Sequence, residues 1–159
     1  MSLDLSVLMN KRMTKKFMEA VESLLRENNF HKDEYGYVSA KEDVYVHIYV
    51  NLAPEKDEWW DDMDELVGVI GFFPKAEISL ESRHTKESHT TNYVLAGQLA
   101  KLVNGVIYDY QVGVLYDSDG KPYACHRTDD EFEEYGAGMS LSMAAVGIVK
   151  DVLGTENKM

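Results

Sequence analysis

The residues with the greatest capacity for chemistry lie in one run, Glu55-Lys56-Asp57-Glu58-Trp59-Trp60-Asp61-Asp62-Met63-Asp64-Glu65, which sets seven carboxylates around both tryptophans of the chain. Indole rings are enriched at interface hot spots, and a negative field speeds encounter with a positive one. Trp59, Trp60, Asp61, Asp62 and Asp64 therefore form a candidate docking surface for a basic protein partner. The competing reading is a loop or short helix that folds one indole onto the core and leaves the carboxylates in water. The run lacks the central glycine and alternating oxygen ligands of an EF-hand. Asp117-Ser118-Asp119-Gly120 opens like such a loop, but Lys121-Pro122 follows at once, which reads as a hairpin turn.

Other reactive side chains form no recognisable constellation. His84 and His89, with Glu81 and Glu87 nearby, have a five-residue step that matches no helical metal motif. Cys125 and His126 are adjacent, so on a strand they project to opposite faces and cannot act as nucleophile and base on each other. No nucleophile elbow, phosphate-binding loop or dinucleotide fingerprint is present. Gly136-Ala137-Gly138 precedes a helical pattern, but the acids Asp129 to Glu134 before it oppose an anion, and a hinge is the better reading. No catalytic residue, metal or cofactor is assigned on these grounds. An enzyme or small-ligand binder is the alternative to a docking module. It would need a pocket between sheet and helices, using groups such as Tyr45, His47, Tyr49 or Glu81 brought together by the fold.

The elements that must position these groups follow from periodicity. Phe17, Ala20, Val21, Leu24 and Leu25 recur at helical spacing and predict a helix from about Asn10 to Glu27. Asp43 to Asn51 alternates, with Val44, Val46, Ile48 and Val50 on one side and Tyr45, His47 and Tyr49 on the other, and Tyr35 to Ala40 reads as its hairpin partner. Leu66 to Phe73 is apolar on both sides and reads as a central strand, followed by a half-exposed strand over Ala76 to Arg83. A helix capped by Thr90 or Thr91 ends at Gly105, and strands over Val106 to Tyr110, Val112 to Tyr116 and on to about His126 come after it. Leu141, Ala144, Ala145, Ile148, Val149 and Val152 form a final helical stripe. This order predicts one α+β domain over residues 1–159, with an antiparallel-dominated sheet of about six strands and three helices packed on one face.

Composition narrows the function classes. The chain has 159 residues, a net charge of −12 and a single cysteine, so no internal disulfide can form. Its acidity opposes direct binding to nucleic acid and suits basic protein partners, although it also serves plain solubility. No apolar run is long enough to span a membrane, and the apolar residues Leu3 to Met9 precede the first positive charges, the reverse of a secretory leader. A cytoplasmic location is expected. Pairing of Leu66 to Phe73 between two copies would offer a route to a homo-oligomer.

One segment carries a resemblance. Ala96, Leu99, Ala100, Gly105, Tyr108, Asp109, Gln111, Gly113 and Tyr116 space a helix and the strands after it. In that pattern, residues 96–116 resemble helix-then-strand segments of small uncharacterised bacterial α+β domains, including some toxin-immunity proteins. The resemblance implies an immunity or inhibitor-type protein that works by docking onto another protein. It gives no role to Asp109 or Gln111, whose plain reading is a strand end and its turn.

Overall fold

The computed structural model describes residues 2–41, 44–51, 63–83, 85–111 and 113–125. It is an α+β structure built on one antiparallel sheet. The strands are β1 (Ser2–Met9), β2 (Phe30–Lys32), β3 (Tyr37–Ser39), β4 (Val46–Asn51), β5 (Ala76–Arg83), β6 (Val106–Asp109), β7 (Val114–Tyr116) and β8 (Pro122–Cys125). Their order is β2-β3-β4-β5-β1-β6-β7-β8, so the described residues form eight strands where the sequence suggested about six.

Two of the strands, β1 and the short edge strand β2, were not expected from the sequence, and β1 sits near the middle. β1 pairs with β5 and with β6, placing Leu5 beside Leu80 on one side and Asp109 on the other. Leu5, Val7 and Met9 are fully buried toward one face and Leu8 toward the other. The segment does alternate, with Asp4 and Ser6 set against Leu3, Leu5, Val7 and Met9, but Leu8 interrupts the pattern, and the residues read only as an apolar stretch.

Three helices are described: α1 (Lys15–Glu27), α2 (Met63–Ile70) and α3 (Lys86–Val103). Thr14 caps α1 by accepting from the Phe17 amide, so the helix starts later than Asn10. Thr85, ahead of the expected threonines, caps α3 by accepting from Ser88. Asn104 leaves that helix in the left-handed conformation at φ 53°. Gly105 matters for a different reason: a Cβ there would lie 2.7 Å from Val7 Cγ1 and 3.0 Å from the Leu8 carbonyl, so its missing side chain lets the helix exit press onto β1.

Residues 66–73, expected as a central strand, instead contribute most of α2. Short apolar runs fit either element, and here burial of a single stripe decided. Val67 and Ile70 pack with Phe73 against Leu8, Tyr108 and Leu115, while Gly68 and Val69 face outward. The proposed pairing of two copies through a 66–73 strand thus has no strand to make it.

The two expected helices that are described, α1 and α3, share one face as predicted, and the exception is α2, which was not expected as a helix. α1 and α3 cover the face carrying Leu5, Val7, Ile48, Ile78, Leu80 and Ile107, whereas α2 covers part of the opposite face. The helix expected at Leu141–Val152 lies outside the described residues.

Candidate functional site

On the side of the sheet away from α1 and α3, the alternation of β4, β5 and β1 brings polar groups into rows. Val38, His47, Glu81 and Asp4 form one row across β3, β4, β5 and β1. Tyr49, Ser79, Ser6 and Tyr108 form the next, running from β4 to β6. The carboxylates of Glu81 and Asp4 are thus direct cross-strand partners. Arg83 is the one lysine or arginine among the described strand residues on this side, and its guanidinium lies 4.3 Å from the centre of the Tyr45 ring.

A tight turn fixes one corner of this surface. Asp33 Oδ1 accepts from the amides of Tyr35 at 3.0 Å and Gly36 at 2.7 Å, and the Asp33 amide donates to the Gly36 carbonyl. Its second oxygen, Oδ2, is 2.8 Å from His47 Nε2. Gly36 is obligatory here, because a Cβ would fall 2.1 Å from the Ile48 carbonyl oxygen. Desolvation works to raise the Asp33 carboxyl, but the His47 bond and the two amides outweigh it and hold the group below its ordinary value.

His47 is 6% exposed and packs edge-on against Tyr49 with ring centroids 4.2 Å apart. Its Nδ1 has no hydrogen-bond partner among the described residues. Burial, with the Glu81 carboxylate next in effect, pushes the Tyr49 phenol up. Three groups named from alternation, Tyr45, His47 and Tyr49, therefore do share a face with Glu81. They lie on the far side of the sheet from α1 and α3, whose own face is closed by packed side chains.

A second cluster was not anticipated. Ser6 Oγ donates to Glu77 Oε2 at 2.7 Å and lies 2.9 Å from the Tyr110 hydroxyl. Burial pushes the Glu77 carboxyl up, while bonds from Ser6 and Tyr110 pull it back only in part. This group was illegible because Ser6 belongs to the unrecognised β1.

Asp109 and Gln111, left without roles by the sequence, turn out to be structural. Asp109 is fully buried, and accepts from the Tyr93 hydroxyl on α3 and from the Gln111 amide. Gln111 Oε1 accepts from the Asp4 amide at 3.2 Å, tying the turn after β6 to β1. Asp117 Oδ1 accepts from the amides of Asp119 and Lys121, making the expected hairpin turn between β7 and β8.

Trp59, Trp60, Asp61 and Asp62 lie outside the described residues, and Asp64 sits in α2 with its side chain outside them too. His89 is buried on α3 and Glu81 is exposed across the sheet from it, so these two are not neighbours in a metal site. Among the described residues no cluster of three or more His, Cys, Asp or Glu side chains is arranged to hold a metal ion. An open groove of about 380 Å³ runs along the start of α1, lined by Met13, Thr14, Lys15, Met18, Glu19 and Glu22, away from the polar face. No described helix is long and apolar enough to cross a membrane.

No family model, curated protein or solved structure matches this chain. The reading of its function therefore rests on the chain's own residues, above all on the polar face and the net charge.

Proposed function

We propose that this protein is a small acidic binding module, of immunity or inhibitor type, that docks onto a basic protein partner. The observation that carries the reading is the direct cross-strand pairing of Glu81 with Asp4 on an otherwise polar, tyrosine-rich sheet face. Two carboxylates side by side on one sheet face add to the negative field that steers a cationic partner toward it. The net charge of −12 extends the same field over the molecule. The sequence-nominated residues Trp59, Trp60, Asp61, Asp62 and Asp64 run in the chain directly into α2, which packs on this same side of the sheet.

Affinity capture from the native host, repeated with the Asp4→Lys/Glu81→Lys double variant, tests the proposal. A captured basic protein, once purified, should bind the wild type in calorimetry, lose affinity as salt rises, and bind the double variant at least about tenfold more weakly. Retention of the same partner by both proteins, or no salt-sensitive partner at all, would remove the reading.

A second reading, that of a small-ligand binder or enzyme, draws on one observation, the half-buried Glu77 carboxyl held against Ser6 and Tyr110. Raised carboxyl groups in such settings can serve as proton donors. It separates from docking by its dependence on Glu77: Glu77→Gln would abolish a ligand-binding or catalytic role and leave a docking affinity nearly unchanged.

A further inference from the structure

We infer that Asn104-Gly105, the junction between α3 and β6, is a site of self-modification that the native fold holds in check: conversion of Asn104 to aspartate and isoaspartate waits on opening of the helix cap, and the isoaspartate product cannot return to the native fold. The inference is independent of the docking reading.

The chemistry comes from the pair itself. It is the one place in the chain where a glycine follows an asparagine. With no side chain on the following residue, nothing shields the backbone nitrogen from the asparagine's own amide carbon. In the reaction the Gly105 nitrogen gives up its proton and bonds to Asn104 Cγ, the Cγ–Nδ2 bond breaks, and the ammonia that leaves carries the proton. Water then opens the resulting cyclic imide at either carbonyl. One opening restores the ordinary main chain with aspartate in place of asparagine. The other gives isoaspartate, whose main chain runs through Cβ. Water is the only co-reactant.

The restraint is conformational. Asn104 is exposed, so solvent reaches its amide. It ends α3 at φ 53° and ψ 48°, a left-handed conformation that asparagine tolerates better than most residues. At that ψ its Cβ stands nearly anti to the Gly105 nitrogen, whereas the imide ring needs the two nearly eclipsed. The Gly105 amide, whose hydrogen must leave, is buried and donates to the Ala100 carbonyl at 2.8 Å. Rotating ψ into the reactive range breaks that bond and lifts Gly105 off β1. The same packing sorts the products. Aspartate keeps the chain length and, like asparagine, is accepted in the left-handed region. Isoaspartate adds a methylene to the main chain at the helix exit, where Val7 and Leu8 already fill the space that one more carbon on Gly105 would need.

The test incubates the wild-type protein in mildly alkaline buffer, with and without enough urea to unfold it, and resolves the peptide spanning residues 104 and 105 into its asparagine, aspartate and isoaspartate forms by chromatography and mass spectrometry. The unfolded chain should convert at least about tenfold faster than the native one, and native conversion should rise in step with hydrogen exchange at the Gly105 amide. After the urea is diluted, isoaspartate should collect in the fraction that fails to refold, while aspartate and asparagine appear in the refolded fraction. Asn104→Gly, which fits the left-handed cap without a side-chain amide, should keep its refolding yield over the same incubation. Equal rates in the folded and unfolded states, or isoaspartate equally abundant in the refolded and unrefolded fractions, overturns the inference. Both readouts come from the wild type, so they decide the matter even if the variant folds poorly.

Discussion

The hydroxyl of Tyr93 donates to Asp109 inside the core, whereas that of Tyr116, equally enclosed and close to the same carboxylate, has no hydrogen-bond partner among the described residues. Both phenols are pushed up, by burial first and by Asp109 second. Removing the two oxygens should therefore have opposite results. Tyr93→Phe strips a donor from a buried carboxylate and should cost about 1–3 kcal/mol in urea unfolding. Tyr116→Phe deletes an unsatisfied polar atom and should be neutral or stabilising by up to about 1 kcal/mol in the same assay. Glu77 gives a pH-dependent counterpart. Its folded-state carboxyl is raised above the ordinary 4.5, so its contribution to stability is complete below that value and lost as pH rises through the folded value. Glu77→Gln should flatten this fall, seen as a urea midpoint that declines less than the wild type's from about pH 4 to pH 7. Of the groups on the polar face the sequence displayed those on a clean alternation, Tyr45, His47, Tyr49 and Glu81. Asp33 reaches His47 from a turn, and Ser6 and Tyr110 meet Glu77 across strands far apart in the chain, so no local spacing announces them.

At the scale of elements, the turn that carries Asp33 is as constrained as any strand. Gly36→Ala must displace either the turn or the Ile48 carbonyl, and should cost about 1–3 kcal/mol. It should also break the Asp33 bond to His47, detectable as a change in the imidazole resonances. The amphipathic α1, the β3–β4 hairpin and β5 were legible because each exposes one side to water and therefore alternates. β1 and α2 were not, for different reasons. β1 does alternate, Asp4 and Ser6 against Leu3, Leu5, Val7 and Met9, but the pattern is short and breaks at Leu8, whereas α2 lies in a continuous apolar run where only tertiary contacts tell helix from strand. That error mattered for function, because β1 supplies Asp4 and Ser6 to the polar face and α2 marks which side of the sheet that face is on.

For the whole molecule, the α+β class and the antiparallel sheet followed from the strand-rich pattern joined by short turns. What no pattern conveyed was the crossing of the chain, in which β5 and β6 flank β1 and α3 bridges them over one face. A net charge of −12 on this frame creates self-repulsion that dissolved salt screens. Added potassium chloride should raise the urea midpoint of unfolding, and a midpoint that falls would show that attractive ion pairs outweigh the repulsion. The position of β1 has a temporal consequence too. Leu5's cross-strand partners are Leu80 and Asp109, so during synthesis this strand-prone segment leaves the ribosome well before either partner exists. Until then it is an unclaimed strand edge, the kind of nascent segment that chaperones shield and that sticks to other chains when they do not.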